Sequence, residues 1–421
     1  MANILAISYY KPDTGYLIDV LDILAKKGHS ISFIITSSGE LSQQAEELVK
    51  QKNYQLITIP KVNFSTSRNP FYRYKQDKVS LKAAADRLLS QHNFQLVFTS
   101  TDLYNGVLFE ACNQKGIPTV YIQWTETHSL KTHQAWWSEE ERFYNKKNPT
   151  LYTLKRKILR PLERLAGYKK IWPFNYKVDH LFLQGEFYKQ MALEGGVNES
   201  IIEVTGNPQC DEINASYTEI TPAVINTVRD KLGASDNQKI LLHTREHYAR
   251  IKHLAEKDII TSQKKIYEAM KEACPDGKWV IKMHPKENEV ELKQVREICP
   301  DAIIIKNELK TGDLIAGCDI LIGTTSSTLV WGMGINKPTI SAYFWETAPD
   351  FNLRRHWFGV EKADTYNQLV NSIVLNLTDE THKKVWEEKR QNCIGNFVKL
   401  GGNCTNNIAE RLTEIINKKE S

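Results

Sequence analysis

Short, continuously apolar runs alternate with amphipathic stretches along nearly the whole chain, and this alternation constrains the fold more than any other feature. Runs at 3–9 (NILAISY), 30–36, 54–59, 95–100, 118–124, 180–185 and 201–206 form a first series. A second series stands at 239–244, 278–284, 302–306, 319–325 and 338–344. Each run is too short for a helix and too evenly apolar for a sheet wetted on one side. Between them lie patterns such as GYLIDVLDILAKKGH (15–29) and LYNGVLFEACNQKGI (103–117), with Gly28 and Gly116 where a helix C-terminal glycine belongs. Strands buried on both faces and joined by helices predict parallel sheets. The fold class expected is α/β, with two doubly wound Rossmann-like domains facing a cleft.

The 421 residues suit two such domains better than one core. The polar connection near 214–236 separates an N-terminal domain, 1–213, from a C-terminal domain, 214–380. A polar, helical segment, 381–421, is expected to cross back onto the first. Apolar content of 41% and charged content of 25% are those of a soluble globular protein. No run approaches the ~18 apolar residues of a membrane span. The opening MANILAISYYKPD lacks the basic start and long apolar stretch of a signal peptide. Seven cysteines without a CxxC pair read as free thiols of a reducing cytoplasm.

In open α/β sheets, ligands gather beyond the carboxyl ends of the strands, which directs attention to the strand tips. DILIGTTSSTLVWGMG (319–334) runs from an apolar strand through Gly323-Thr324-Thr325-Ser326-Ser327-Thr328 into a helical pattern. Hydroxyls and unpaired N–H groups at a helix start favour a phosphate; the alternative is a simple N-cap at Ser326 or Ser327. WVIKMHPKEN (279–288) ends a strand on His284, and Pro285 removes an N–H and stops the strand. His284 is placed to donate to a diphosphate, or to bond a neighbouring carbonyl.

The HP pair followed some forty residues later by SS resembles the paired motifs of GT-B-type bacterial transferases. These include capsule sialyl- and Kdo-transferases and CDP-glycerol glycerophosphotransferases. That resemblance implies that His284, Ser326 and Ser327 hold the phosphates of a nucleotide-activated donor. A wider stretch, about 95–340, is similar to UDP-N-acetylglucosamine 2-epimerases, which share the GT-B fold. It includes FTSTDLYN (98–105), QWTETHSLKTHQAWWSEEER (123–142), VDHLFLQGEFYKQMALEGGVNESIIEVTGNPQCD (178–211) and ILLHTRE (240–246). Carried over, Asp102, Glu126, Glu140 and His243 occupy that family's acid–base positions. Val330 and Trp331 stand where many GT-B proteins use a carboxylate on the nucleotide ribose, which leaves a cytidine nucleotide open.

Glu126 and His128 directly follow a strand, where a carboxylate or imidazole can take the proton of an acceptor hydroxyl. Glu139 and Glu141 read as a solvated charge run. His243 and Arg245 are also strand-end residues, and Arg245 suits a phosphate. From Lys146 to Lys177 there are ten Lys or Arg and one acid, Glu163, with leucines at helical spacing and Tyr168, Trp172 and Phe174 beyond. Such a stretch fits an anionic membrane surface, or a helical excursion packed on the N-terminal domain. Pro161 interrupts any single helix through it. No nucleic-acid reader module, no His/Cys set with metal-ligand spacing and no DxD motif is present.

The function expected is a metal-independent glycosyltransferase of bacterial surface polysaccharide synthesis. It moves a sugar or alditol phosphate from a CMP-, CDP- or UDP-linked donor to a glycan or lipid-linked acceptor, at the cytoplasmic side of the membrane, with no cofactor. His284, Ser326, Ser327, Thr328, His243 and Arg245 are the expected donor-binding residues. Glu126, Asp102, His128 and Glu140 are the candidate bases. A nucleotide-sugar 2-epimerase is the alternative enzyme, and a GT-B-fold scaffold subunit the non-catalytic one.

Overall fold

A computed structural model describes residues 1–60, 62, 65–66, 70–103, 106–124, 130, 172–218, 220–246, 256–285, 287–344, 359–399 and 401–420. These divide into two compact units. One runs to Asp211 and takes in the residues from 403 onward; the other is Glu212–Gly402.

The first unit is built on a seven-stranded sheet of β1 (Asn3–Ser8), β2 (Ser30–Ile35), β3 (Gln55–Leu56), β4 (Leu96–Thr99), β5 (Thr119–Ile122), β6 (His180–Leu183) and β7 (Ile202–Val204). Its order is β3-β2-β1-β4-β5-β6-β7, and every pairing is parallel. Successive strand side chains point to opposite faces, and both faces are covered. Ile4, Ala6, Phe33 and Phe98 pack with Leu17, Leu21 and Leu24 of the helix Lys11–Lys26. Leu5, Ile7, Ile34 and Val97 pack on the other side with Leu81, Ala85 and Leu88 of the helix Pro70–Gln91. Burial of both parities is why the strands read as unbroken apolar runs. Gly28 and Gly116 have φ of +90° and +63°, the left-handed conformation that ends the preceding helices cheaply.

The second unit repeats the plan with β8 (Ile240–Thr244), β9 (Lys278–Lys282), β10 (Ile303–Ile305), β11 (Ile320–Gly323), β12 (Thr339–Ala342) and β13 (Glu361–Ala363). The order is β10-β9-β8-β11-β12-β13, again all parallel. In both sheets the strand order reverses beside the first strand, so β1/β4 and β8/β11 are the switch points where such sheets bind ligands.

The segment 381–421 divides between the units. The helix Glu380–Phe397 stays with the second, where Arg390 Nε donates to Asn336 Oδ1 at 3.2 Å. The helix Cys404–Glu420 joins the first, burying Ile408, Leu412 and Ile416 against the helix Lys11–Lys26. Its N-terminus is held by Asp211, whose carboxylate accepts from Cys404 N (2.8 Å), Thr405 N (2.8 Å) and Thr405 Oγ1 (2.7 Å). At the far end of the basic stretch, Trp172 and Phe174 are core residues of the first unit, each 1% exposed. Trp172 lies so close to Gly195 that a Cβ there would sit 2.2 Å from its ring. Those two aromatics are therefore not membrane-facing; residues 146–171 lie outside the described residues. No described helix is long and apolar enough to cross a membrane.

Candidate functional site

In the second unit, Ile281, His243 and Ile322 lie side by side across β9, β8 and β11. His284, Glu246 and Thr325 each stand three residues beyond that row, at the carboxyl edge. One strand thus separates the tip carrying His284 from the tip carrying Thr325–Thr328, roughly 10 Å at ordinary strand spacing. Both motifs reach the same edge, with β8 between them.

The β11 tip is arranged around hydroxyls. Thr325 donates to the Glu246 carboxylate through both its backbone N–H and its Oγ1. Thr328 Oγ1 and Thr244 Oγ1 are 2.7 Å apart. Ser326 Oγ accepts weakly from Thr328 N at 3.3 Å, whereas Ser327, at the N-cap position of the helix Thr328–Gly334, makes no side-chain cap bond. Ser326, Ser327 and Thr328 are half-buried. The Thr324 hydroxyl is buried and has no hydrogen-bond partner. Gly323 allows this loop to close on β8: a Cβ would lie 3.0 Å from Leu329 Cδ2 and 3.3 Å from Thr244 Oγ1. Val330 is buried and Trp331 packs on the core, so this helix presents apolar contacts there.

His284 is positioned by Glu287, a residue the sequence reading did not single out. The Glu287 carboxylate accepts from His284 N at 2.7 Å, and Glu287 N donates to His284 O at 3.0 Å, closing the turn at Pro285. The signal was present, since a glutamate three residues after the turn's first residue is the spacing of a capping box. Glu287 is itself held by Arg245, with Nη2 at 2.6 Å and Nε at 3.0 Å from Oε1. The two side chains are 0% and 7% exposed.

Arg245 is accordingly turned into the fold and not toward a ligand at the strand tip; its Nη1 also donates to Gln263 Oε1 at 2.9 Å. His243 is sealed as well, at 1% exposure. Its Nδ1 donates to the Ile322 carbonyl at 3.1 Å, and its Nε2 faces the Gln263 amide. Burial, then the Arg245 charge, lowers its pKa to about 4, so the ring is neutral. A buried chain of contacts, His284–Glu287–Arg245–Gln263–His243–Ile322, therefore braces the three strand tips from beneath.

In the first unit, Asp102 lies just past the tip of β4 and accepts from Gly106 N at 2.7 Å. Burial pushes its carboxyl up to about 6 despite that bond. Burial first, and then the Asp102 charge, raises the phenols of Tyr121 and Tyr176, which lie 5.4 Å apart. A carboxyl with such a pKa can exchange protons near neutrality. Asp13 is a second carboxylate of this edge that the sequence reading passed over. It is fully buried and accepts from Tyr9 N and Tyr10 N, both at 2.8 Å, and from Ser100 Oγ at 2.7 Å. Burial raises its pKa against the pull of those bonds. Pro12-Asp13 at the start of a helical pattern was its available signal. Glu126, His128 and Glu140 lie outside the described residues.

No protein-family profile and no curated protein matches the sequence. Solved structures do. The UDP-GlcNAc 2-epimerase of Neisseria meningitidis, bound to UDP-GlcNAc, is 14% identical with a TM-score of 0.61, covering 98% of this chain and 100% of its own. A glycosyltransferase of Rickettsia africae is 16% identical with a TM-score of 0.55, covering 99% and 98%. MurG of Acinetobacter baumannii is 10% identical with a TM-score of 0.54, covering 98% and 100%. With two parallel switch-point sheets matched over whole chains of both kinds, this protein has a GT-B-like fold of the glycosyltransferase and 2-epimerase type.

Proposed function

We propose that this protein is a glycosyltransferase acting on a nucleotide-activated donor. The second unit binds the donor phosphates through the Thr325–Thr328 loop and His284. The first unit receives the acceptor hydroxyl and supplies the base. The observation that carries this reading is that the β11 tip already binds an anion: an N–H and a hydroxyl of Thr325 converge on one carboxylate oxygen of Glu246. Groups arranged for a carboxylate oxygen are arranged equally for a phosphate oxygen. His284, held on the same edge by Glu287, supplies an imidazole donor to the leaving phosphate, and stabilising that developing charge drives transfer without a metal. His243 and Arg245 enter as braces, not as ligands. Among the described residues Asp102 is the proposed base, since it stands just past the tip of β4 and burial raises its carboxyl to about 6. The acceptor is a glycan or a lipid-linked glycan of surface polysaccharide synthesis.

The test is a thermal-shift screen of CMP, CDP, UDP and GDP. A bound ligand raises Tm according to its concentration over its dissociation constant. One base should be preferred, and His284→Ala and Thr325→Val should each remove most of the shift. No shift with any nucleotide sinks the proposal.

Likeness to a 2-epimerase solved with UDP-GlcNAc favours a second reading, proton exchange at carbon 2 of a nucleotide sugar. The sealed environment of His243 counts against it, because that ring has no open nitrogen to offer a substrate. Deuterium entering carbon 2 of UDP-N-acetylhexosamine in heavy water, without acceptor, would establish the epimerase instead.

A further inference from the structure

Three strands of the first unit, β1, β4 and β5, place Ile7, Thr99 and Tyr121 in one row. Three residues beyond that row stand Tyr10, Asp102 and Trp124. β1 and β5 are not neighbours, since β4 runs between them. Yet the Tyr10 and Trp124 rings meet edge to face, with centroids 5.3 Å apart and planes at 78°. The two rings therefore reach toward each other across the tip of β4, the strand that leads into Asp102. Tyr9 extends the group, 5.6 Å from Tyr10 at 78°, and is 38% exposed.

The platform is held from below. Asp13 fixes the backbone N–H groups of Tyr9 and Tyr10, and Thr14 Oγ1 donates to the Tyr10 carbonyl at 2.8 Å. Tyr10 and Trp124 are only half-buried, although such large rings ordinarily gain most from full burial. Both rings keep part of their surface open to solvent. Aromatic faces carry negative charge density and attract the weakly positive C–H bonds of a pyranose, while a carboxyl among them bonds its hydroxyls.

We propose that Tyr10 and Trp124 form the subsite for a pyranose ring of the acceptor, stacking it beside Asp102. This rests on the transferase reading and adds the chemical class that the first unit recognises. The rings fix the sugar plane, and Asp102 accepts from a hydroxyl at its rim. Because the Tyr9–Tyr10 turn is locked before any ligand arrives, little ordering accompanies binding.

Saturation-transfer NMR tests the inference directly, using methyl glycosides of glucose, galactose, N-acetylglucosamine and N-acetylgalactosamine as probes. At least one should receive saturation at its ring C–H protons in the wild type. Trp124→Ala and Tyr10→Ala should each weaken binding about tenfold, the scale of one lost stacking contact, whereas Tyr10→Phe should bind as the wild type does. Nucleotide-induced Tm shifts, measured on the same proteins, should be unchanged, which also shows that the variants are folded. Wild-type transfer that is absent, or undiminished in both alanine variants, overturns the subsite. Loss of the nucleotide shift in the wild type overturns the donor reading instead, so the two failures are separable.

Discussion

The Glu246 carboxylate accepts both hydrogen bonds that Thr325 offers at the tip of β11, and so occupies the place proposed for a donor phosphate. Like charges at hydrogen-bond distance cost several kcal/mol at a shared site, so a bound nucleotide must displace the carboxylate or compete with it. Glu246→Gln keeps an acceptor oxygen for Thr325 but removes the charge. Nucleotide affinity, read by calorimetry, should rise about tenfold or more, equivalent to at least ~1.4 kcal/mol. Unchanged affinity would mean that the nucleotide does not contact Thr325.

Arg245 and Glu287 form a buried pair, and each is held at its other end. Removing one partner leaves an uncompensated buried charge, at a cost of about 3–5 kcal/mol. Glu287→Ala should therefore lower urea stability by that amount and also loosen the His284 turn, weakening nucleotide binding. The double variant Arg245→Met with Glu287→Met should recover much of the stability but not the nucleotide affinity, because His284 N loses its acceptor in both. Recovery of both properties would show that the ion pair plays no part in positioning His284.

Asp211 caps a helix that begins about 190 residues later in the chain. Asp211→Ala removes three hydrogen bonds at once from Cys404 and Thr405. A lost cap costs ~1–2 kcal/mol, and the loss here is local to the returning helix. Limited proteolysis should cut near residues 399–404 faster in the variant, with little change in global Tm.

Much of this arrangement was legible in the residues, and the illegible part has a physical cause. Burial on both sheet faces wrote the strands as apolar runs, and Pro285 wrote the end of β9. β13, Glu361–Ala363, left no such trace because its three residues include an exposed lysine at an edge. His243 and Arg245 read as strand-end ligands, but alternation puts them on the face of Leu241, beneath the helix Glu256–Ala273. Thr244 and Glu246, of opposite parity, meet the β11 loop instead. Parity could be read from the sequence; which parity faces the ligand depends on the neighbouring strands, and linear sequence does not carry that. Glu287 and Asp13 were passed over because their value lies in backbone N–H groups that only the folded turn brings together.

Asp102 couples the stability of the fold to pH. Burial is the dominant cause of its pKa of about 6, against the ordinary carboxylate value of 3.8. The native state thus binds this proton more tightly than the unfolded chain does. Below pH ~4 both states are protonated and Asp102 adds no pH dependence. As pH rises from about 4 to 6 the unfolded chain releases the proton first, and native stability falls; above 6 the loss is complete. Asp102→Asn keeps the size and removes the titration. Its stability relative to wild type should rise through that window by on the order of 1–3 kcal/mol, as measured by urea unfolding at pH 4 and pH 7.5. Transfer activity in the wild type follows the folded-state pKa alone and should climb through a limb centred on about pH 6 as the base is freed, and in Asp102→Asn that limb of the profile should vanish with kcat. A stability difference that is flat from pH 4 to 7.5 would show that the carboxyl is solvated and unshifted. An acid limb that persists in the variant would assign the base to another residue, even if the burial argument holds.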